Sequence, residues 1–257
     1  MPALSPLAKR AIPLLDLTNV DDDCTAAVAR ALCEKALAAP IAPAAVCLRP
    51  AFVGMAKTLL AGSGIRLATV INFPDAVVTP EQAGRMCDQS LLSEATRKAV
   101  AEGADEIDLV FAWRAFLDGD RDGPRQAVEA VRAACGSAVL KVILESGAYP
   151  DTASLRAACD LVIDAGADFL KTSTTRLTPA ATPEAVAVLC EASRAVGKLV
   201  GVKVSGGVRT PEQAQHYLDI IANHMGLNWI ETDHVRIGAS KLLDALLGVP
   251  VPETVGY

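Results

Sequence analysis

Apolar residues gather along the chain in eight short runs: AIPLLDL (11–17), AAVCLR (44–49), RLATVIN (66–72), EIDLVF (106–111), AVLKVILE (138–145), DFLKTS (168–173), LVGVKVSG (199–206) and HVRIG (234–238). Each is rich in Val, Ile and Leu and has the length of a strand buried on both faces. Between them lie alanine-rich stretches with charges at helical spacing. SLLSEATRKAVAEG (90–103) and PEAVAVLCEASRAVG (183–197) are two of these, each ending in the glycine that often closes a helix. Strand and helix therefore alternate, which is the rhythm of repeated βα units on a parallel sheet.

Eight units over 257 residues, with no Pro/Gly/Ser-rich linker between them, predict one α/β domain over 1–257: a single-domain (β/α)8 TIM barrel with a short flexible tail from about residue 250. An open doubly wound sheet is the other arrangement. It is disfavoured because no G-x-G-x-x-G follows the first strand.

The charge pattern narrows the chemistry. A net charge of -6 opposes long-range attraction to nucleic acid or an anionic membrane, so an anionic ligand must meet local positive charge. Charges interrupt every apolar stretch before it reaches a membrane span, and residues 1–10 lack a secretory layout, so a cytoplasmic protein is expected. Seven cysteines without a C-x-x-C pair suggest neither a disulfide scaffold nor a zinc site. Six are expected as small buried hydrophobes in helices, with Cys47 set apart. His216, His224 and His234 lack metal-binding spacing, so no metal and no cofactor is expected.

Charged residues inside apolar strands are the candidate site, since barrel active sites lie at the C-terminal ends of the strands. Asp16, Asp108, Lys141, Glu145, Lys171 and Lys203 are of this kind, with Lys141 and Glu145 placed on one face of LKVILE. The bland reading pairs these lysines with acids merely to shape the barrel centre. The functional reading starts from repulsion. Two ammonium groups about 4 Å apart repel by roughly 4 kcal/mol at an effective dielectric near 20, enough to make one of them neutral near pH 7. A neutral amine can attack a carbonyl, and the resulting iminium can accept electrons from a breaking C–C bond. Asp108 is the obvious proton relay. Late in the chain, SGGVRT (205–210) and IGASKLLDALLG (237–248) follow strands seven and eight, where barrels commonly bind phosphate.

These blocks resemble the deoxyribose-phosphate aldolase family, whose class I members join acetaldehyde to glyceraldehyde 3-phosphate reversibly. LLDLT (14–18), AAVCLRP (44–50), ATVINFP (68–74), GADEIDLVF (103–111), LKVILESG (140–147), GADFLKTST (166–174), GVKVSGGVRT (201–210) and RIGAS (236–240) carry the resemblance in order. It implies that Lys171 forms the Schiff base, Lys203 lowers its pKa and Asp108 shuttles protons. Asp16 would assist on the sugar hydroxyl side, and Tyr257, on the tail, would help protonate the enamine carbon. On the substrate-binding side it implies Thr18 and Cys47, a cysteine vulnerable to aldehydes in that family. For phosphate it implies Thr174, Arg176, Gly206, Gly207, Gly238, Ser240 and Lys241. Thr175 and Arg176 replace a frequent Gly-Lys, Lys241 a frequent serine and Val204-Ser205 a frequent Pro-Ala, so the phosphate end departs from the family pattern.

The expected partners are small aldehydes and a phosphorylated sugar, on a monomer or homodimer. Two alternatives remain. One is another lysine-dependent barrel aldolase acting on a related phosphorylated sugar, and the other is a non-catalytic phosphosugar-binding barrel.

Overall fold

The computed structural model describes residues 3–73 and 86–249. Its eight strands are β1 (Leu15–Asn19), β2 (Ala45–Leu48), β3 (Arg66–Ile71), β4 (Glu106–Val110), β5 (Val139–Ile143), β6 (Phe169–Lys171), β7 (Gly201–Ser205) and β8 (Val235–Ala239). They pair in chain order, all parallel, and β8 returns to β1 to close the barrel. Each of the eight apolar runs contributes one strand.

Around them run α1 (Pro6–Ala11), α2 (Ala26–Ala38), α3 (Val53–Leu59), α4 (Gln89–Ala101), α5 (Trp113–Leu117), α6 (Asp122–Cys135), α7 (Thr152–Asp164), α8 (Pro183–Ala195), α9 (Pro211–Met225) and α10 (Leu242–Leu246). Several starts are written locally, because a short oxygen-bearing side chain satisfies backbone N–H groups that have no partner inside the helix. Thr25, Asp88, Asp151, Thr182 and Thr210 cap α2, α4, α7, α8 and α9 in this way.

Three expectations are corrected. The first run does not extend as strand from residue 11. Ser5 caps α1 through Ala11, a 3₁₀ turn over Ile12–Leu14 follows, and β1 opens only at Leu15. Helix α8 ends before Gly197, with Val196 already extended. Of the six cysteines expected in helices, Cys33, Cys135, Cys159 and Cys190 are buried there, but Cys24 and Cys87 are half-buried outside any helix.

The strands divide their side chains between the two faces of the barrel, since successive residues point to opposite sides. Leu17, Val46, Leu48, Leu67, Ile107, Leu109, Leu140, Val142, Leu170, Val202, Val204, Val235 and Ile237 all belong to the large apolar core that includes the helices. A separate small cluster of Ala45, Cys47, Ala68 and Val70 joins β2 to β3. Small residues leave room for long ones across the barrel. At Gly201 a Cβ would lie 2.3 Å from the Phe169 ring, so β7 can pass this close to β6 only without a side chain.

Gly201→Ala should therefore destabilise the barrel by about 1–3 kcal/mol through overpacking. Urea unfolding would show it as a lower midpoint at unchanged slope, and an unchanged midpoint would mean that the Phe169 ring swings aside at no cost.

Candidate active site

Period-two alternation turns Lys171, Lys203 and Asp108 into the barrel. Lys171 ends β6 and is the register partner of Lys203 on β7, while Asp108 on β4 is the partner of Lys141 on β5. Both lysines of the β6/β7 pair converge on one oxygen. Lys171 Nζ donates to Asp108 Oδ2 at 2.8 Å and Lys203 Nζ to the same atom at 2.7 Å. Lys141 Nζ donates to Oδ1 at 2.8 Å.

Beneath this trio lies a second tier. Lys203 also reaches Asp16 Oδ2 at 2.5 Å, and Lys141 reaches Glu106 Oε2 at 2.5 Å. Arg236 forks onto Glu106 at 2.8 and 3.1 Å and onto Asp16 Oδ1 at 2.8 Å. Glu106 and Arg236 did not emerge as candidates from the sequence. The signal for both was present, since each stands two residues before an inward-facing candidate, Asp108 and Gly238.

Counting charges singles out one of the lysines. Among the buried groups of this network, the carboxylates Asp16, Glu106 and Asp108 face the cations Lys141, Lys203, Arg236 and Lys171; Arg66, exposed and also paired to Asp233, reaches Glu106 from outside at 3.4 Å. Three cations match three acids, and Lys171 is the surplus. It is also the one nearest the outside, at 3% exposure against 0% for the other six.

The proton affinities follow. Burial pushes the Lys171 ammonium below its ordinary value and Lys203 adds to this, against the pull of Asp108. Of the two causes that lower it, desolvation is the larger and the neighbouring cation the smaller. Lys203 is fully buried, yet Asp108 and Asp16 together hold it above the ordinary lysine value. Lys141 is raised likewise by Asp108 and Glu106 against burial. Burial works to protonate Asp16 and Asp108, but the surrounding cations hold both carboxyls below the usual range.

The remaining candidates lie at several depths. Cys47 is buried beside the lysines, its thiol pushed up to about 11 by burial and then by Asp108. Thr18 is half-buried on β1 and its hydroxyl donates to the Asp16 carbonyl at 2.9 Å. Glu145 does not share a face with Lys141 as expected, because β5 ends at Ile143 and the backbone turns left-handed at Glu145, φ 58°. Its carboxyl instead accepts the hydroxyl of Thr174 and, at 3.2 Å, the Thr174 amide.

Of the residues expected at a phosphate, Gly206 and Gly207 both take positive φ, 101° and 83°, directly after β7. A Cβ at Gly206 would meet Ala180 and Ser173, whereas the space beside Gly207 is open. Gly238 lies inside β8, where a Cβ would come 2.8 Å from Ser205 Oγ and 3.2 Å from Lys203 Cε, so its bareness lets Lys203 through. Ser240 and Lys241 are exposed after β8. Arg176 leaves the β6 loop to reach Asp22 of the β1 loop at 3.1 Å, with its guanidinium over the Phe73 ring. Arg49 also bonds Asp22 and lies over the same ring. Tyr257 lies outside the described residues. The sequence reading also passed over Thr172 and Ser173, whose hydroxyls donate to the Ser205 carbonyl and tie β6 to β7.

A family model described as DeoC/LacD family aldolase matches residues 10–245, and the chain belongs to that family. Solved structures are similar over nearly its whole length. The "putative deoxyribose-phosphate aldolase" of Toxoplasma gondii ME49, in its apo form, is 26% identical with a TM-score of 0.81, over 95% of this chain and 96% of that one. That of Coccidioides immitis is 27% identical with a TM-score of 0.76, over 95% and 87%. The deoxyribose phosphate aldolase of Aeropyrum pernix, described as tetrameric, is 27% identical with a TM-score of 0.71, over 94% and 90%.

Arg236→Met should cost about 3–5 kcal/mol, because Asp16 and Glu106 would keep buried charge without their fork partner. Chemical denaturation would check it, and a loss under about 1 kcal/mol would contradict the charge count. On acidification the sign is fixed by the depressed carboxyls. The stability that Asp16 and Asp108 lend is complete above the unfolded carboxylate pKa near 4 and is lost as pH falls through their lower folded values. Thermal unfolding from pH 7 to 2 should show the midpoint falling only at this acid end.

Proposed function

We propose that the chain is a class I aldolase that reversibly cleaves 2-deoxy-D-ribose 5-phosphate to acetaldehyde and D-glyceraldehyde 3-phosphate. The observation that carries this reading is the surplus position of Lys171 among seven buried charges, with its ammonium destabilised and its neighbours fixed. Family membership and the similarity to aldolases with this named substrate support it.

In the reading, the free amine of Lys171 attacks the aldehyde carbon C1, and loss of water leaves a protonated imine. A base removes the hydroxyl proton at C3. The C2–C3 bond then breaks, its electron pair moving toward the iminium to give an enamine and releasing glyceraldehyde 3-phosphate. Protonation at C2 and hydrolysis release acetaldehyde and restore the amine. Asp108 accepts hydrogen bonds from both lysines and is suited to relay protons through a water. Lys203, held cationic, keeps the iminium partner electrophilic and the Lys171 amine free. Asp16 fixes Lys203 from the far side, and Tyr257 is assigned the proton delivered to C2.

The phosphate would meet the Gly206-Gly207 turn and Arg176. Arg176 carries a carboxylate partner, Asp22, that a phosphate must displace or share. This favours a weaker phosphate requirement than a free guanidinium would give.

Borohydride reduction in the presence of acetaldehyde should add mass to the peptide holding Lys171. Lys171→Leu should abolish the labelling, and Lys203→Leu should retain it with its pH midpoint moved upward; label on another lysine would refute the assignment. The ratio of kcat/KM for 2-deoxyribose 5-phosphate to that for 2-deoxyribose should be about 10 to 100, the worth of one charge-assisted hydrogen bond at about 1.5–3 kcal/mol. Equal values would remove the phosphate from the proposal.

A further inference from the structure

Glu145 is a buried acid that the proposed reaction does not use. It sits two residues past the end of β5, 2% exposed, with φ 58° and ψ 56°. A left-handed conformation at a residue with a side chain stores strain and persists only where surrounding contacts hold it. Those contacts run to the loop after Lys171. On either side of Glu145, Leu144 N donates to the Lys171 carbonyl at 2.9 Å and Ser146 N to the Thr172 carbonyl at 2.8 Å. Two residues on, Gly147 packs so tightly on the Pro179 carbonyl that a Cβ would come within 1.8 Å of its oxygen.

The left-handed turn aims the carboxyl at Thr174, where it accepts both the amide and the hydroxyl. A carboxylate is the only side-chain group that accepts twice with no hydrogen of its own to misplace. Because the Thr174 hydroxyl spends its single proton on Glu145, its lone pair is turned to the following backbone, and Arg176 N donates to it at 3.0 Å. The chain Glu145, Thr174, Arg176 closes a turn in which Thr175 is also left-handed, φ 74°. Two non-glycine residues in that conformation therefore face each other across one hydrogen-bonded clamp, and the side chain leaving it is the Arg176 guanidinium. Lys171, Arg114 and Tyr149 are the other titratable groups that act on Glu145, and its carboxyl is raised above the ordinary value, by burial first.

We propose that Glu145 is a positioning residue for phosphate selectivity, setting the 174–176 turn through Thr174 and so fixing where Arg176 meets the substrate. This rests on the phosphate reading above. It also gives Thr174 a different part from the one the resemblance implies, since its hydroxyl is committed to the clamp.

The test compares kcat/KM for 2-deoxyribose 5-phosphate and 2-deoxyribose in wild type, Glu145→Ala, Thr174→Val and Thr174→Ser. Glu145→Ala and Thr174→Val should each lower the phosphorylated-to-free ratio about tenfold, through KM for the phosphorylated substrate, and Thr174→Ser should restore it. Thr174→Val removes only the hydroxyl, so it carries the test alone where Glu145→Ala does not fold. Equal losses on both substrates, or an undiminished ratio, would overturn the clamp. A wild-type ratio near one would instead overturn the phosphate reading and the clamp with it, so the two failures are distinguishable.

Discussion

Seven charged side chains with at most 3% exposure occupy the centre of the barrel, and every one reaches an opposite charge within 4 Å. Removing ions from water is so unfavourable that such a group survives only if partners replace the lost hydration. The acids do so by sharing. Asp108 takes three lysines, Asp16 takes two lysines and an arginine, and Glu106 takes the arginine fork and Lys141. The network fixes the proton on Lys203 and Lys141 and leaves the proton of Lys171 negotiable. Repulsion between two lysines is one contribution to that outcome; burial of a surplus cation is the larger.

The scaffold answers to this centre. Ala45, Cys47, Ala68 and Val70 line one side with short side chains, while Gly238 lets Lys203 pass. The β6 loop that follows Lys171 is tied on both flanks, through Thr172 and Ser173 to Ser205 on β7 and through Leu144, Glu145 and Ser146 beyond β5. A buried ammonium whose proton affinity depends on a few ångströms of spacing needs its own strand held, and short polar side chains supply that hold where the strand ladder ends.

Architecture was readable because burial on both faces makes parallel strands into unbroken apolar runs, and eight such runs alternating with helices leave few ways to close. A lysine or aspartate inside such a run is conspicuous, which is why Lys171, Lys203, Asp108 and Asp16 could be picked out. Glu106 opens its run and Arg236 stands in the middle of a short one after His234, so both look like ordinary strand charges until the alternation is extended to them. Contacts made by loops were not readable. Nothing in the order of residues places Arg176 against Asp22, or turns Glu145 away from Lys141 toward Thr174, because these depend on where distant strands end and how the chain leaves them. Cys24 and Cys87 fall outside helices for a local reason, since each stands just before the capping residue, Thr25 or Asp88.

Closure of the barrel has a consequence for how the site comes into being. The bond from Arg236 to Asp16 spans 220 residues of sequence, and the ladder from β8 to β1 is the one that turns an open sheet into a ring. Contacts of such separation are the slowest to gain in folding, since most of the chain must be ordered before they form. Until that seam closes, Asp16 lacks its fork partner and Lys203 lacks the anchored anion on its far side. The proton balance at Lys171 is thus a property of the finished ring, absent from a chain in which the seam between β8 and β1 is still open.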